Sequence, residues 1–160
     1  MTKYHRHIGV YGICKKDNAL LVVEKARGPY KFRYDLPGGS IEENESVIEA
    51  IKREFEEETG LDIVVGKNLG FTEYIVPYSI SNKDYVQHLA LFLEVNAISQ
   101  LYEVKPSDDT SGAKWMNMEE LHADNSSPLV MTALDILATN ENREISIIYD
   151  EWLTKQSKND

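Results

Sequence analysis

Residues 35–61 combine a glycine turn with a run of carboxylates, a pairing that can hold a metal ion next to a phosphate group. The turn contains Gly38 and Gly39, and the acidic run ends in Glu54, Glu57 and Glu58. Carboxylate oxygens are the hard ligands that Mg²⁺ and Mn²⁺ prefer. Main-chain groups of a glycine turn can approach a phosphate closely or lend a carbonyl oxygen to the metal. The stretch therefore predicts a metal site suited to phosphate chemistry.

An amphipathic helix must position these carboxylates. Good helix formers run without a break from Glu45 to Thr59, with Asn44 as the predicted N-cap and Gly60 as the C-terminal stop. At roughly 100° per residue, a helical wheel defines an apolar stripe that contains Val47, Ile48, Ile51 and Phe55. This stripe predicts which side of the helix is buried.

The wheel also separates the glutamates into two groups. Glu54, Glu57 and Glu58 border or overlap the apolar stripe, whereas Glu49 and Glu56 lie on the solvated side. Three converging carboxylates repel one another unless a cation neutralises them. A divalent cation would do so, and the alternative interpretation is a solvated acidic helix end.

The spacing of these residues resembles the box motif of the Nudix hydrolases. Every fixed position matches, and the matching residues are Gly39, Glu45, Arg53, Glu54, Phe55, Glu57, Glu58, Gly60 and Leu61. The resemblance implies an α/β fold, namely the Nudix-type α/β/α sandwich with a mixed β-sheet. In such a box Glu45 is expected to fix the geometry between the loop and the helix.

The resemblance also implies a cofactor and roles for the box residues. Mg²⁺, or alternatively Mn²⁺, is expected to be held by Glu54, Glu57 and Glu58, with help from the carbonyl region of Gly39. Arg53 is expected to orient these carboxylates by ion pairing. Either Glu54 or Glu57 is the expected general base, and in the family this role often falls to a loop acid instead.

The implied activity is a Mg²⁺-dependent hydrolase that cleaves the diphosphate linkage of a nucleoside diphosphate derivative. The candidate substrates are a nucleoside triphosphate, ADP-ribose or another nucleotide sugar, and a dinucleoside polyphosphate. Pro77 and Tyr78 resemble the markers of two different substrate groups at once, so they leave the substrate open. One alternative is a non-catalytic nucleotide-binding regulator on the same fold. An isoprenoid diphosphate isomerase is a further alternative, to which Cys14 and four scattered histidines give little support.

Substrate contacts are expected from two segments outside the box. The bases Lys25, Arg27, Lys31 and Arg33 lie just upstream of the glycine turn, either as a solvated loop or as cations for substrate phosphates. The polar connection 96–112 offers Glu103, Asp108 and Asp109 as an additional metal ligand or base, unless it is an ordinary loop. The predicted substrate-binding residues are Arg27, Arg33, Tyr78 and Asp109.

Length and charge restrict the class of protein. The 160 residues suit a single domain, predicted over 1–155 with a disordered tail at 156–160. A net charge of −10 argues against nonspecific binding to nucleic acid or to an anionic membrane. The sequence lacks a long apolar run, and Cys14 is the single cysteine, so we expect a small-molecule enzyme of the reducing cytoplasm.

The remaining elements alternate strands with a second helix. Strands are predicted at 7–14, 19–24, 62–71, 74–80, 85–95 and 113–117, and a helical turn at 118–122. The apolar strand 85–95 is expected at the centre of the sheet, covered on both faces, with His88 as a core histidine. His5 and His7 are expected to be surface residues.

A second helix is predicted at 127–138, with Ser127 as its cap, Pro128 in its first turn and Asn140 at its end. The apolar stretch 145–153 is expected to pack as a strand or a helix, either on its own domain or across a homodimer interface.

Overall fold

A computed structural model describes residues 1–99 and 109–160. Its strands are β1 (Tyr4–Ile13), β2 (Lys15–Lys16), β3 (Ala19–Lys25), β4 (Tyr34–Asp35), β5 (Gly38–Ser40), β6 (Ile63–Ile80), β7 (Lys83–Ala97), β8 (Thr110–Asn117) and β9 (Ser146–Ile148). The helices are α1 (Val47–Thr59) and α2 (Pro128–Thr139), and a 3₁₀ turn spans Met118–Glu120.

Two sheets are formed by the described strands. In the larger sheet the order is β5-β1-β7-β6-β9, where β1 runs parallel to β7 and the β6–β7 pair is antiparallel. In the smaller sheet β3 pairs with β2, β4 and β8. The predicted α/β class with a mixed sheet is therefore confirmed, as is the central place of residues 85–95.

Two buried clusters lie on opposite sides of the strands. Val10 and Leu21 belong to the cluster that contains Ile51 and Phe55 of α1. The neighbouring residues Tyr11, Leu20 and Val22 belong to the cluster that contains the buried residues of α2. Successive strand residues point to opposite faces, so each helix covers one face, as a sandwich requires. Cys14 is buried in the first cluster, which confirms its predicted core position.

The start of α1 differs from the sequence prediction. Ser46, not Asn44, is the N-cap, and it forms a capping box in which its side chain accepts from the Glu49 amide. The Glu49 carboxylate accepts from the Ser46 amide in return, 2.7 Å away. Asn44 instead adopts a left-handed backbone with φ 61° in the preceding turn. The predicted end at Gly60 is confirmed.

The buried face of α1 is also rotated relative to the predicted stripe. Ile51 and Phe55 are fully buried, but Ile48 is 44% exposed. The buried face extends instead to Ala50 and to Glu58. The prediction that Ile48 belongs to the buried stripe was therefore wrong. Because the buried face is rotated, it includes Glu58 near the C-terminal end of the helix.

Residues 63–80 form one strand where two were predicted. The segment 68–70 interrupts the β6–β7 register as a β-bulge and does not end the strand. The turn that follows is tighter than predicted, because Ser81 and Asn82 both have positive φ, which is typical of a two-residue hairpin.

The C-terminal half follows the predicted pattern more closely than α1 and β6 do. Helix α2 has Ser127 as its N-cap, Pro128 in the first turn and Asn140 as a left-handed C-cap, as predicted. Strand β9 pairs parallel to β6, and Tyr149 and Trp152 then pack against the α2-side cluster. Beyond Lys155, where disorder was predicted, the chain forms a turn in which the Asp160 carboxylate accepts from main-chain amides. Neither described helix has the length and apolar character that a membrane crossing requires.

Candidate active site

An open cavity of about 460 Å³ lies between α1, the glycine turn, β1 and the loop after β3. The predicted site residues that line it are Arg27, Gly39, Arg53, Glu54, Glu57, Glu58 and Asp109. Arg33 and Tyr78 do not line it. Glu103 and Asp108 lie outside the described residues.

Arg53 organises the acidic side of this cavity. Its guanidinium donates to both carboxylate oxygens of Glu45, at 2.7 and 3.0 Å, and to the Ser40 carbonyl at 3.0 Å. It also donates to Glu54 at 2.9 Å and to Glu57 at 3.2 Å. The hydrogen bonds that Arg53 donates to Glu45 are the main cause that raises the pKa of Arg53 above its usual range, and burial opposes this shift. The residue therefore stays cationic and fixes the loop to the helix.

The two glycines of the turn lie in close contacts, and the backbone contact at Gly38 requires a glycine. A Cβ at Gly38 would lie 2.1 Å from the Val10 carbonyl oxygen, and its φ of 148° also disfavours a side chain. A Cβ at Gly39 would lie 2.7 Å from a carboxylate oxygen of Glu54. The turn thus leaves room for the Glu54 carboxylate directly against the main chain of β5.

Glu58 is the most unusual carboxylate of the cavity. It is only 8% exposed, and its Oε2 atom is buried without a hydrogen-bond partner among the described residues. Burial raises the pKa of Glu58 well above its usual range, and the Glu54 carboxylate raises it further while Lys25 lowers it. A buried, unpartnered carboxylate oxygen is costly unless it is neutralised.

These observations fit the implied divalent cation. Glu54, Glu57 and Glu58 line the same cavity and supply hard oxygen donors, one of which, on Glu58, has no hydrogen-bond partner among the described residues. In the described ranges 1–99 and 109–160, no three acidic, histidine or cysteine side chains are already gathered around one point. Arg53 contacts Glu54 and Glu57 and thus holds part of the set.

The cavity is also lined by cations. Lys25 and Arg27 line it, and Arg27 forms an ion pair with Asp109. The Ala26 amide donates to the Asp109 carbonyl at 2.7 Å, so this pair ties the loop after β3 to the start of β8. Cations and carboxylates that line the same cavity suit an anionic ligand that binds together with a metal ion.

Arg33 has a structural position instead. It is 6% exposed, and its guanidinium donates to the carbonyl oxygens of Ala123 at 2.8 Å and Leu153 at 3.1 Å. The bases of the predicted segment thus have two different roles. Lys25 and Arg27 line the cavity, whereas Arg33 donates hydrogen bonds to main-chain carbonyl groups. Tyr78 is likewise placed outside the cavity, on β6.

A histidine and tyrosine network forms part of the cavity wall that the sequence did not predict. His7, expected at the surface, lies opposite His88 in the β1–β7 register, with ring centroids 4.7 Å apart. The Tyr11 hydroxyl lies 3.2 Å from His7 and 2.8 Å from His88, and the Tyr30 hydroxyl lies 3.2 Å from the other His88 nitrogen. The prediction that His88 is a core histidine is confirmed.

Both imidazoles are disfavoured as cations. Burial lowers the pKa of His88 well below its usual value, with smaller effects from His7 and Lys25. Burial together with Lys25 lowers the pKa of His7 to about 4. Near neutral pH the network is therefore an uncharged polar wall beside the charged half of the cavity.

Asp35 connects this wall to α2. It is buried, and its carboxylate accepts from the Ser127 hydroxyl at 2.6 Å and from the Leu36 amide at 2.9 Å. Burial raises the pKa of Asp35, while Lys25 and these hydrogen bonds oppose the shift. The N-cap of α2 thus contacts a residue of the cavity.

Comparison with known proteins gives a family match over most of the chain. The model of the NUDIX domain matches residues 3–138. An ADP-ribose pyrophosphatase from Methanocaldococcus jannaschii is 34% identical over 118 residues, which cover 73% of this chain and 65% of that protein. This chain therefore spans just under two thirds of that relative's length.

A second relative and a solved structure extend the match. The phosphatase NudJ of Escherichia coli K12 is 28% identical over 147 residues, which cover 90% of this chain and 91% of that protein. A NUDIX hydrolase structure from Nitrosomonas europaea superposes with a TM-score of 0.69 at 22% identity, over 86% of this chain and 92% of that one. At this identity the structural match shows the fold.

Proposed function

The chain belongs to the NUDIX domain family, and from this premise we propose that it is a Mg²⁺-dependent pyrophosphohydrolase acting on a nucleoside diphosphate derivative. The observation that carries the proposal is the buried, unpartnered oxygen of Glu58 beside Glu54 and Glu57, in a cavity that Lys25 and Arg27 also line. Carboxylates and cations in one cavity fit a phosphoric anhydride bound through a divalent ion.

Glu54, Glu57 and Glu58 would hold the cation, with the main chain at Gly39 as a further contact. Bound there, Mg²⁺ neutralises the diphosphate and lowers the pKa of a coordinated water. Mn²⁺ takes the same oxygen ligands and is the alternative ion.

The remaining groups bind and orient. Lys25 and Arg27 contact the phosphate oxygens, and Arg27 exchanges its ion pair with Asp109 for a phosphate. Arg53 is already held by Glu45 and the Ser40 carbonyl, and it orients Glu54 and Glu57. Either of these two carboxylates accepts the proton of the attacking water.

ADP-ribose is the first substrate to test. The archaeal relative bears the name ADP-ribose pyrophosphatase, and the cavity joins a charged half to an uncharged polar wall. A cavity of about 460 Å³ is within the usual range for small-molecule sites. ADP-ribose contains both kinds of group that such a cavity accommodates, namely a diphosphate and neutral hydroxyl-bearing groups.

The test is product release from a substrate panel with Mg²⁺ and with a chelator. The panel holds ADP-ribose, other nucleotide sugars, nucleoside triphosphates, dinucleoside polyphosphates and NADH. Metal-dependent cleavage of one class, lost in Glu57→Gln prepared in parallel, supports the proposal and names the substrate. Nucleotide binding without cleavage of any member would contradict it and favour the non-catalytic regulator.

We place this activity in the cytoplasm and treat a homodimer as part of the same proposal. The single cysteine, Cys14, is buried and free, which suits a reducing compartment. Ile145 and Ile148 are exposed apolar residues of the C-terminal segment and form the candidate interface. Light scattering at several protein concentrations distinguishes the dimer from a monomer.

A further inference from the structure

The segment 149–158 lies beyond the family match, which ends at residue 138. It is attached at both ends to strands of the core. The Tyr149 amide donates to the Ile75 carbonyl at 3.0 Å, and the Lys158 ammonium lies 2.6 Å from the Glu24 carboxylate. Between these two attachments the segment contacts the loop after β3, which forms one wall of the cavity.

Trp152 makes the central contact with that loop. Its indole N–H donates to the Pro29 carbonyl at 2.7 Å. Its ring packs edge-to-face against Tyr30, with centroids 5.8 Å apart and an interplanar angle of 75°. Pro29 and Tyr30 both line the cavity, so one side chain contacts two consecutive wall residues.

Arg33 joins the end of the loop to the same segment. Its guanidinium lies 4.7 Å from the centroid of the Trp152 ring and donates to the Leu153 carbonyl. A cation over an indole face is a favourable contact, particularly when it is shielded from water. This contact and the bonds to the carbonyl oxygens of residues 123–126 together account for the burial of Arg33.

The loop that Trp152 and Arg33 contact has an irregular backbone. Gly28 and Phe32 have positive φ values of 80° and 63°. Several of its main-chain hydrogen bonds are internal, such as the Lys31 amide to the Gly28 carbonyl at 3.2 Å. These internal bonds shape the loop, and the contacts from Trp152 add to them in holding Pro29 and Tyr30.

The position of Tyr30 matters beyond the loop itself. Its hydroxyl lies 3.2 Å from Nδ1 of His88, and the two rings stack with centroids 5.8 Å apart. Trp152 thus contacts the uncharged wall directly through Tyr30, and Tyr30 and His88 separate it from His7, which lines the open space.

We propose that Trp152 is a positioning residue for substrate binding, which holds the Pro29–Tyr30 wall in place through its indole N–H and ring edge. The inference rests on the proposed hydrolase function. It assigns to the C-terminal segment a role in substrate affinity, since the contacts of Trp152 are with Pro29, Tyr30, Arg33 and Tyr149 and leave the carboxylates of α1 unchanged.

The test compares KM and kcat for the cleaved substrate among Trp152→Ala, Trp152→Phe and the control Leu153→Ala. Leu153 is 70% exposed and contributes its main-chain carbonyl, so its side chain can be removed without loss of the Arg33 contact. Trp152→Ala removes the hydrogen bond and the ring, and we expect KM to rise roughly tenfold with kcat within about twofold of wild type. Trp152→Phe keeps a ring edge but loses the N–H donor, and we expect a rise of roughly threefold.

The KM and kcat values separate positioning from general stability, since partial unfolding lowers the active fraction and leaves KM unchanged. Trp152→Phe keeps the test valid if Trp152→Ala does not fold. Wild-type KM in Trp152→Phe, or a KM shift of the same size in Leu153→Ala, would overturn the inference while cleavage by the wild-type protein still supports the function. Absence of cleavage by the wild-type protein would overturn the proposed function, and the inference with it.

Discussion

Two neighbouring glutamates of α1 have very different surroundings. The side chain of Glu57 is 58% exposed and accepts from Arg53, whereas Glu58 is buried with one oxygen unpartnered. An exposed carboxylate is charged at little cost, while a buried one needs a cation to stay charged. The pair therefore combines a ligand that the solvent can reach with one that the cation itself must stabilise.

Replacing either carboxylate by its amide tests the metal assignment at the residue scale. We expect Glu57→Gln and Glu58→Gln each to lower kcat at least about a hundredfold at limiting Mg²⁺, because an amide is a weaker ligand for a hard cation. Both variants keep the fold, and far-ultraviolet circular dichroism checks this. The matched control is Glu56→Gln, an exposed residue of the same helix that is not among the cavity residues, for which we expect wild-type turnover. Normal turnover in both test variants would exclude these residues as the site.

The sequence predicts which side chains come together where these residues are close along the chain. The carboxylates of α1 could be grouped from the sequence because helical spacing alone brings them to one face, and their positions along the cavity agree. The contact between His7 and His88 could not, since it depends on the parallel register of two strands 81 residues apart. Tyr30 and Trp152, which also meet through the tertiary fold, gave no local signal.

At the scale of an element, the capping box of α1 fixes where the helix begins. The Ser46 side chain and the Glu49 carboxylate each accept an amide that would otherwise be unpaired. Asn44 and Ser46 are both good N-cap types, so cap preference alone did not choose between them. The glutamate three residues after Ser46 was the signal in the sequence that favoured Ser46.

Removing this cap should affect stability without affecting catalysis. We expect Ser46→Ala to lower the free energy of unfolding by about 1 kcal/mol, because the Glu49 amide loses its acceptor. We expect kcat to stay unchanged, since the cap lies at the opposite end of the helix from Glu57 and Glu58. Urea unfolding and turnover assays measure the two effects. Asn44→Gly is the control, since glycine tolerates the positive φ at this position, and a larger loss in this variant than in Ser46→Ala would place the cap at Asn44 instead.

At the scale of the whole molecule, alternation within strands explains why the fold class could be predicted. Val10 and Tyr11 point into different buried clusters, and the sequence shows this as apolar strands without a polar face. The continuity of β6 was missed because Asn68 and Gly70 are typical loop residues, and only the pairing with β7 shows that they form a bulge. The structural position of Arg33 could not be predicted, because it depends on the carbonyl groups of residues 123 and 153, which lie far away along the chain.

The cavity wall also couples the stability of the whole molecule to acid. The pKa of His7 is lowered to about 4 in the folded protein, mainly by burial, from an unfolded value of about 6.5. Between these values the unfolded chain binds more protons, so the free energy of unfolding rises with pH. The stabilisation is complete above about pH 6.5 and is lost as the pH falls toward 4.

We therefore expect the wild-type protein to lose more stability than His7→Gln when the pH is lowered from 7.5 to 5, by about 1–2 kcal/mol. Glutamine has no proton to gain in this range, and its amide can still contact the Tyr11 hydroxyl, 3.2 Å from the histidine ring in the native protein. Urea unfolding at the two pH values measures the difference. His122→Gln, at an exposed histidine outside the cavity, is the control and should lose as much stability as the wild-type protein. Equal losses in His7→Gln and in the wild-type protein would show that His7 gains its proton as readily in the folded state as in the unfolded chain, and that burial in the wall does not govern its charge.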